Sequence, residues 1–294
     1  DYDPNTVRSE WDSLVADEGG NSALLNRATQ GLYPPGSTFK ILTAMEYMRE
    51  NPSFDKYRYE CSGSDTFGGN VIRCYNGEHH GTVDLKSSLA HSCNGSFAHI
   101  GVGLNRKSYR KLCEAFGFNS SLGVKFVSSR SRFVLDEKSD TAEAAQTAIG
   151  QGKTTITPLQ NALISATIAN DGVMMTPYLV DHTESVDGHV VKKYEPQEKR
   201  TVISRKRANQ VTRMMRSVVS DGTAAALRNL SYPVAGKTGT AEIDSEGTSH
   251  AWFVGFAPAA DPKIAVSVIV EGAGTGSQYA VPIAAKMLEE YLGN

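Results

Sequence analysis

Three strand-like runs followed by a helix-like run constrain the fold more than any other part of the chain. The runs are PVAGKTGTAEI, HAWFVGFAP and KIAVSVIVE, and the turn-forming segments DSEG and AADP separate them. Strand-like runs joined by such short connections predict an antiparallel meander. Residues 281–292 then show the apolar spacing of a helix that covers one face of this sheet.

Helix-like segments dominate the middle of the chain. Pro35 and Gly36 precede Ser37, and apolar residues then recur at helical spacing, which predicts a helix beginning near Ser37. An alternating stretch around Asp187 and Gly188 predicts a hairpin. Further helical segments are predicted at 84–104, at 107–116 and at 141–170, the last with a break at Gly150-Gln151-Gly152. Another helix is predicted from an apolar face formed by Val211, Met214, Met215, Val218 and Val219.

These patterns together predict an α+β fold. We expect a mostly antiparallel sheet of about five strands flanked by helices, with an all-helical subdomain inserted over roughly residues 40–175. A chain of 294 residues is long enough for one large core, so residues 1–294 are expected to form a single domain.

Charge and hydropathy exclude several classes of protein. Charged residues make up 21% of the chain and the net charge is -2, so a nucleic-acid partner is not expected. The longest apolar run, 264–270, is far shorter than the about 18 residues that cross a bilayer, and this chain is expected to be soluble. It opens on DYDPN, without Met or a signal-like segment. We therefore expect an upstream portion, with any anchor, in the full-length protein.

Cys61 and Cys74 bracket the turn-rich segment SGSDTFGGNVIR, which predicts a hairpin that brings them together. An extracytoplasmic disulfide is one interpretation, and two reduced, buried thiols are another. A metal site that adds His79 and His80 is the third. It is disfavoured, because adjacent histidines rarely converge on one ion and the spacing fits no common zinc pattern.

Nucleophile candidates come from serines that precede a lysine by three residues. On a helix this spacing puts both side chains on one face, where the amine can take the hydroxyl proton. The three such pairs are Ser37 with Lys40, Ser53 with Lys56, and Ser108 with Lys111.

Local context separates the three pairs. Ser53 precedes a segment that does not read as helix, and Ser108 lies on the polar side of its helix, so both are interpreted as surface residues. Ser37 sits at a helix N-terminus, where unpaired amides favour negative charge on its oxygen. Lys40 lies in an apolar helix, so desolvation is expected to lower its pKa. On this segment alone, a plain helix-capping role for Ser37 stays open.

Two further motifs favour the catalytic interpretation. Ser92-Cys93-Asn94 is the only Ser-x-Asn of the chain, and Lys237-Thr238-Gly239 is the only Lys-Thr-Gly. In this order, the motifs resemble the active-site set of penicillin-binding proteins and serine β-lactamases. The stretches LLNRATQGLYPPGSTFKI, HSCNGSFAHIG, AIGQGKTTITPLQNALISATIANDG, VAGKTGTAE and HAWFVGFAP extend the resemblance over nearly the whole chain. They resemble the transpeptidase domain of class B, high-molecular-mass penicillin-binding proteins.

The resemblance implies a role for each motif residue. Ser37 would attack the carbonyl of the penultimate D-Ala of a stem peptide, and Lys40 would accept its proton. Ser92 would relay a proton to the departing nitrogen, while Asn94 would orient Lys40 and hold the substrate's amide side chain. The backbone amides of Ser37 and Thr240 would form the oxyanion hole.

The Lys-Thr-Gly strand also has a physical argument of its own. A D-Ala-D-Ala terminus and a β-lactam both carry an anionic carboxylate, which suits Lys237 and the hydroxyls of Thr238 and Thr240 on a rigid edge strand. Gly239 is expected to leave room for the ligand beside this strand. Lys237 is also expected to lower the pKa of Lys40 by like-charge repulsion.

Some neighbouring residues stay outside the predicted site. The Gly150-Gln151-Gly152 loop either lines the cleft or simply joins two helices. Trp252 and Phe253 are expected in the core, and Tyr33 is expected beside the cleft.

Three other functions stay open at this point. A β-lactamase shares the acylation step and adds a carboxylate that activates water for deacylation. Glu137, Asp140 and Glu143 lie in the right part of the chain, but none has the Glu-x-x-x-Asn context of class A β-lactamases. A penicillin-sensing or catalytically dead domain keeps the fold without turnover, and a carboxypeptidase or endopeptidase passes the acyl-enzyme to water.

For the full-length protein, the resemblance implies a membrane-anchored D,D-transpeptidase on the extracytoplasmic face of the bacterial cytoplasmic membrane. Its substrates would be peptidoglycan stem peptides, with a D-Ala-D-Ala donor and an amine acceptor, and β-lactam antibiotics would acylate and inhibit it. A glycan-polymerising membrane protein is the expected partner. No metal or organic cofactor is implied.

Overall fold

The structure is a computed structural model that describes residues 2–17, 22–244 and 246–293. Its α-helices are α1 (Trp11–Ala16), α2 (Arg27–Gln30), α3 (Lys40–Glu50), α4 (Leu85–Ala90), α5 (Asn94–Gly103), α6 (Arg106–Ala115), α7 (Thr141–Ala148), α8 (Pro158–Ala169), α9 (Arg205–Ser220) and α10 (Val281–Leu292). Its strands are β1 (Tyr59–Cys61), β2 (Ser64–Phe67), β3 (Asn70–Arg73), β4 (Gly81–Val83), β5 (Val173–Met175), β6 (His182–Glu184), β7 (Val190–Lys193), β8 (Glu198–Thr201), β9 (Ala235–Glu242), β10 (Ser249–Ala257) and β11 (Ile264–Val270). The ends of the predicted domain, Asp1 and Asn294, and Ser245 of the predicted DSEG turn lie outside the described residues.

The central sheet is the predicted antiparallel meander. Its strand order is β11-β10-β9, which leaves β9 as an edge strand. Trp252 in β10 pairs with Gly239 in β9 and with Ile269 in β11. Helix α9 packs against β9, while α8 and α10 pack against β11. Because helices cover the sheet, β10 is buried along almost its whole length instead of alternating between buried and exposed residues.

Helix α8 begins with a capping residue followed by proline. Thr157 caps α8 by accepting a hydrogen bond from the Gln160 amide (3.2 Å), and Pro158 occupies the first helical position. The predicted apolar face of α9 is buried, and the predicted hairpin forms from β6 and β7. Within the described ranges, none of the helices is both long and apolar enough to cross a bilayer.

The α+β class is confirmed, but two details of the predicted architecture differ. Among the described residues the central sheet has three strands, not about five, because β5 pairs with β8 and β6 with β7 as separate two-stranded units. The region predicted to be all-helical also contains two antiparallel pairs, β1 with β4 and β2 with β3. The β2–β3 pair is the hairpin predicted between Cys61 and Cys74. Strands β1 and β4 are only three residues long and lack the apolar alternation that reveals a strand.

A break in the predicted helical segment 84–104 is important for the site. Helix α4 ends at Ala90 and α5 begins at Asn94. Between them Ser92 has a φ of 58°, in the left-handed region that few residues other than glycine adopt. The chain therefore turns sharply here, and the Ser92-Cys93-Asn94 motif lies at a helix junction, not inside a helix.

Candidate active site

Ser37 lies in a tight turn that leads into α3. The turn is a 3₁₀ helix, Gly36–Phe39, and the Ser37 side chain is half-buried while Phe39 anchors the turn in the core. The Gly36 amide donates a 2.9 Å hydrogen bond to the carbonyl of Gly150. A Cβ on Gly36 would come within 2.7 Å of the Thr240 carbonyl oxygen, and one on Gly150 would overlap the Gly36 carbonyl. This turn carries the predicted nucleophile Ser37, so we call Gly36–Phe39 the nucleophile turn; it is held between the Gly150 loop and β9.

Lys40 is the first residue of α3 and is completely buried. Its Nζ donates to the carbonyl oxygen of Ser92 (2.7 Å), to Ser92 Oγ (3.1 Å) and to Asn94 Oδ1 (2.6 Å). A protonated lysine has three donors and no acceptor, so these three bonds use all of them. Loss of one proton frees a lone pair on the same nitrogen, one helical turn from Ser37.

Burial lowers the pKa of Lys40 to about 8, an effect that the neighbouring Cys93 and Cys74 charges partly oppose. The predicted repulsion by Lys237 does not act on Lys40. Burial and the charge of Lys40 instead lower the pKa of Lys237 well below its ordinary value. When two neighbouring lysines repel each other, the repulsion lowers the pKa of the lysine that loses its proton first. The other lysine then has a neutral neighbour, so its own pKa is not lowered by this repulsion.

Asn94 connects the lysine to the small sheet region. While its Oδ1 accepts from Lys40, its Nδ2 donates a 2.7 Å hydrogen bond to the carbonyl oxygen of Arg73, the last residue of β3. The Asn94 side chain is therefore held at both ends. Nothing in the sequence indicated Arg73, since it contributes only its backbone from a short, exposed strand.

The Lys-Thr-Gly motif lies on the edge strand β9. Lys237 is completely buried, and its Nζ donates to the carbonyl oxygen of Thr238 (2.9 Å). The hydroxyls of Thr238 and Thr223 lie 2.5 Å apart, which adds a residue that the motif analysis missed. Thr240 is half-exposed at the same strand.

Gly239 has a different role from the one expected. A Cβ at this position would lie 3.0 Å from the methyl group of Thr38 and 3.0 Å from Cβ of Trp252. The missing side chain therefore lets β9 pack against the nucleophile turn and the neighbouring strand. Room for a ligand beside the strand is not the reason, because side chains alternate along β9 and this one points into protein.

Aromatic residues support the nucleophile turn from the sheet. Trp252 and Phe253 are fully buried, as predicted. Trp252 Nε1 donates to the carbonyl oxygen of Pro34 (3.0 Å), and its ring meets that of Tyr33 edge-on. Tyr33 is also buried, and its hydroxyl donates to Glu271 (2.6 Å). Tyr33 therefore belongs to the packing beneath the turn.

The other serine–lysine pairs lie elsewhere on the surface. Ser53 precedes the short 3₁₀ helix Phe54–Lys56, and Lys111 is exposed on α6. Of the acids that a β-lactamase could use, Asp140 caps α7 by accepting from the Glu143 amide (2.8 Å), and the Glu143 carboxylate pairs with Lys153 (3.3 Å). Both carboxylates already have structural partners.

The cysteines give an unexpected result. Cys61 and Cys74 come together as predicted, but their sulfurs are 3.7 Å apart and form no disulfide. His80, one of the two histidines of the disfavoured metal interpretation, joins them, whereas His79 does not. Cys93, the middle residue of the Ser-x-Asn motif, is the fourth member. The sequence could not indicate Cys93 because its position depends on the turn at Ser92.

Comparisons with known proteins match this chain from end to end. Residues 1–289 match the family model described as penicillin binding protein transpeptidase domain. The chain is 33% identical to peptidoglycan D,D-transpeptidase PbpA of Mycolicibacterium smegmatis over 96% of this chain and 61% of the relative. The chain thus spans about three fifths of the length of such curated relatives.

Solved structures show the same likeness. Penicillin-binding protein A from M. tuberculosis, in a ceftriaxone acyl-enzyme complex, has a TM-score of 0.87 and 30% identity over 98% of this chain and 67% of that chain. A chain from a study of how a peptidoglycan synthase complex coordinates polymerization and crosslinking has a TM-score of 0.82 and 29% identity over 99% of this chain and 51% of that chain.

An antiparallel sheet and a mainly helical region meet at a serine, a buried lysine and an edge strand, an arrangement suited to acyl transfer through a serine. The family match covers nearly all residues of the chain. The chain therefore belongs to the penicillin-binding protein transpeptidase domain family.

Proposed function

We propose that this domain is a D,D-transpeptidase that crosslinks peptidoglycan and is acylated by β-lactams. Ser37 Oγ attacks the carbonyl carbon of the penultimate D-Ala and passes its proton to Lys40. The C–N bond to the terminal D-Ala breaks as Ser92 delivers a proton to the leaving nitrogen, and Lys40 passes its proton on to Ser92. An amine from a second stem peptide then attacks the acyl-enzyme ester and loses a proton to Lys40. The ester C–O bond breaks, Ser37 Oγ takes this proton from Lys40, and the new C–N bond is the crosslink.

The observation that carries this proposal is the environment of Lys40. A general base works best when its pKa is near the operating pH, and burial brings the pKa of Lys40 to about 8. Its bond to Ser92 Oγ (3.1 Å) provides a direct path for the proton towards the leaving group. Lys40 would thus act in both steps, the attack by Ser37 and the departure of the terminal D-Ala.

The edge strand β9 supplies the substrate-binding side of the proposed site. An extended peptide can pair with a free strand edge through backbone hydrogen bonds. Lys237, with the hydroxyls of Thr238 and Thr240, would bind the terminal carboxylate, whose charge favours the protonated form of Lys237. The amides of Ser37 and Thr240 would hold the oxyanion, and the close approach of Gly36 to the Thr240 carbonyl supports this pairing.

A β-lactamase is the main alternative, and it requires a carboxylate free to activate water. Asp140 and Glu143 have structural partners and Glu137 is exposed, so the three candidate acids favour slow deacylation. The Ser92 and Asn94 contacts of Lys40 argue against a catalytically dead domain, because the acid–base groups are assembled.

Incubation with penicillin G, followed by intact-mass measurement, tests the acylation step. We expect one stable adduct that Ser37→Ala abolishes and Ser108→Ala retains, since Ser108 has the same spacing to a lysine but lies on the surface of α6. Loss of the adduct within seconds would instead identify a β-lactamase.

A D-Ala-D-Ala stem peptide with an amine acceptor then separates crosslinking from hydrolysis by a carboxypeptidase, and no turnover at all would indicate a receptor domain.

For the full-length protein we infer a single catalytic domain joined to an upstream anchor and N-terminal domain, at the outer face of the cytoplasmic membrane. The chain covers about three fifths of curated D,D-transpeptidases, which leaves room for such parts. A glycan-polymerising partner is supported by the similarity to a chain of a peptidoglycan synthase complex.

A further inference from the structure

Three thiols and one imidazole converge beside the Ser-x-Asn motif. The ligand atoms of Cys61, Cys74, Cys93 and His80 all lie within 4.8 Å of one another. The three cysteines are almost completely buried, and only 5% of the His80 side chain is exposed. Polar and ionisable groups are rarely packed together out of water unless something binds them.

Three of the six distances between these atoms match the edges of a tetrahedron of metal ligands. Zinc–sulfur bonds of about 2.3 Å and zinc–nitrogen bonds of about 2.0 Å imply sulfur–sulfur edges of about 3.8 Å and sulfur–nitrogen edges of about 3.5 Å. The Cys61–Cys74 sulfurs are 3.7 Å apart, and the Cys74–Cys93 sulfurs are 3.9 Å apart. Cys61 Sγ and His80 Nδ1 are separated by 3.4 Å.

The surroundings of His80 match those of a metal-binding histidine. Its Nδ1 faces the sulfur of Cys61, while its Nε2 lies 3.6 Å from the Glu78 carboxylate. This separation is too long for a hydrogen bond, and Nε2 has no hydrogen-bond partner, but the negative charge of the nearby carboxylate favours a proton on Nε2 and leaves Nδ1 free to bind metal. His79, in contrast, is exposed.

We propose that Cys61, Cys74, His80 and Cys93 bind one zinc ion. Three thiolates and one imidazole favour zinc among the common divalent cations, and four protein ligands make a closed, structural site with no position for substrate. This proposal does not rest on the transpeptidase activity. It revises the sequence-based expectation that no metal is bound.

The position of Cys93 suggests what the ion does. Cys93 lies between Ser92, which has the left-handed backbone, and Asn94, and both of these residues hold Lys40. A metal bond at Cys93 would fix this junction and tie it to the hairpin that carries Cys61 and Cys74. We therefore assign the zinc site a positioning role for the Lys40 contacts.

Metal content of the purified protein tests the site directly. After incubation with zinc sulfate and desalting, we expect about one zinc per chain by mass spectrometry, and cobalt substitution should give the visible absorption of a tetrahedral thiolate site. Cys61→Ser and His80→Ala should each weaken zinc affinity by about 10-fold or more. The matched controls are Cys113→Ser, a buried thiol on α6, and His79→Ala, the exposed neighbour; both should keep the metal.

The positioning role needs a separate measurement on the unmodified chain. Removal of zinc by a chelator should slow the rate constant for penicillin acylation at saturating penicillin by about 10-fold, with little change in the half-saturating concentration. Zinc should restore the rate and magnesium should not. A folded, penicillin-reactive chain that binds no zinc, or one with a Cys61–Cys74 disulfide, would overturn the site. Unchanged acylation after proven metal removal would overturn the positioning role.

Discussion

At the scale of single residues, Lys40 sets the pH at which the site acts. Its pKa of about 8 means that the neutral amine, the form that can accept the Ser37 proton, is the minor form at neutral pH. Below pH 8 we expect the second-order rate constant for penicillin acylation to rise about tenfold per pH unit, and to level off above about pH 9. Intact-mass kinetics from pH 6 to 9 measure this profile, and Lys111→Met is the control with an unchanged profile. A rate independent of pH over this range would exclude Lys40 as the base.

Gly150 provides a second prediction at this scale. Gly150 and Gly152 have nearly the same left-handed φ, 80° and 81°, but a Cβ on Gly150 would overlap Gly36, whereas one on Gly152 would come no closer than 3.4 Å to Gln146. Both alanine variants incur about 1–2 kcal/mol for the left-handed backbone. Gly150→Ala should lose more stability than this and slow acylation, while Gly152→Ala should not slow it.

Thermal unfolding and acylation kinetics on the two variants separate these effects. Equal behaviour of Gly150→Ala and Gly152→Ala would show that the Gly150 contact does not hold the nucleophile turn. The two variants have the same cost from the left-handed backbone, so a difference between them reports the contact with Gly36.

The motif residues could be predicted from sequence because their chemistry is specific, and the geometry of Lys40 agrees with that prediction. Residues that act through backbone or packing could not be predicted in the same way. Arg73 contributes a carbonyl oxygen that any residue could offer, and Gly150 was recognisable only as a loop glycine. In the sequence, Cys93 is only the variable middle position of the Ser-x-Asn motif, and its role becomes visible when the structure places it beside Cys61 and Cys74.

At the scale of elements, β10 connects the sheet to the nucleophile turn. Trp252 donates to the Pro34 carbonyl from within this strand, while its neighbour Phe253 faces the other side of the sheet. Trp252→Phe leaves that carbonyl without its partner, at about 1–3 kcal/mol. We expect Trp252→Phe to slow penicillin acylation severalfold.

Phe253→Leu is the matched control, because it removes part of a buried ring on the same strand without touching Pro34. It should lower the free energy of unfolding by a similar amount yet leave acylation within about twofold of the unmodified chain. Chemical denaturation and acylation kinetics give both quantities. Equal slowing by the two variants would indicate that the Trp252 hydrogen bond has no separate effect on the turn.

Long elements with strong patterns were predictable, and short or strained ones were not. Strands β10 and β11 and helix α9 have apolar patterns many residues long, so the sequence determines them locally. The break at Ser92 depends on a left-handed residue that is not glycine, which no local preference favours. Strands β1 and β4 pair across the whole β2–β3 segment, so their own residues do not reveal them, whereas β2 and β3 form the tight hairpin that the turn-rich segment predicted.

At the scale of the whole molecule, the proposed site exists only where two parts of the chain meet. The helical region contributes Lys40, Ser92 and Asn94, and the sheet contributes Lys237 and the Thr240 edge. The two parts are joined through close backbone contacts, such as Gly36 against Thr240. An exposed region that packs against neither the site nor the elements that hold it should be dispensable for acylation.

The β6–β7 hairpin is such a region. Within the part of the chain that the structure describes, β6 and β7 pair with each other alone, and every residue of β7 is exposed. The Tyr194 amide donates to the Asp181 carbonyl (2.7 Å), so the ends of the hairpin are already close together. Replacing residues 182–193 by two glycines should therefore shift the unfolding temperature by less than about 3 °C and leave penicillin acylation within about twofold. If acylation fell tenfold in a variant with unchanged unfolding, the hairpin would have to act on the cleft, and the boundary of the catalytic unit would need to include it.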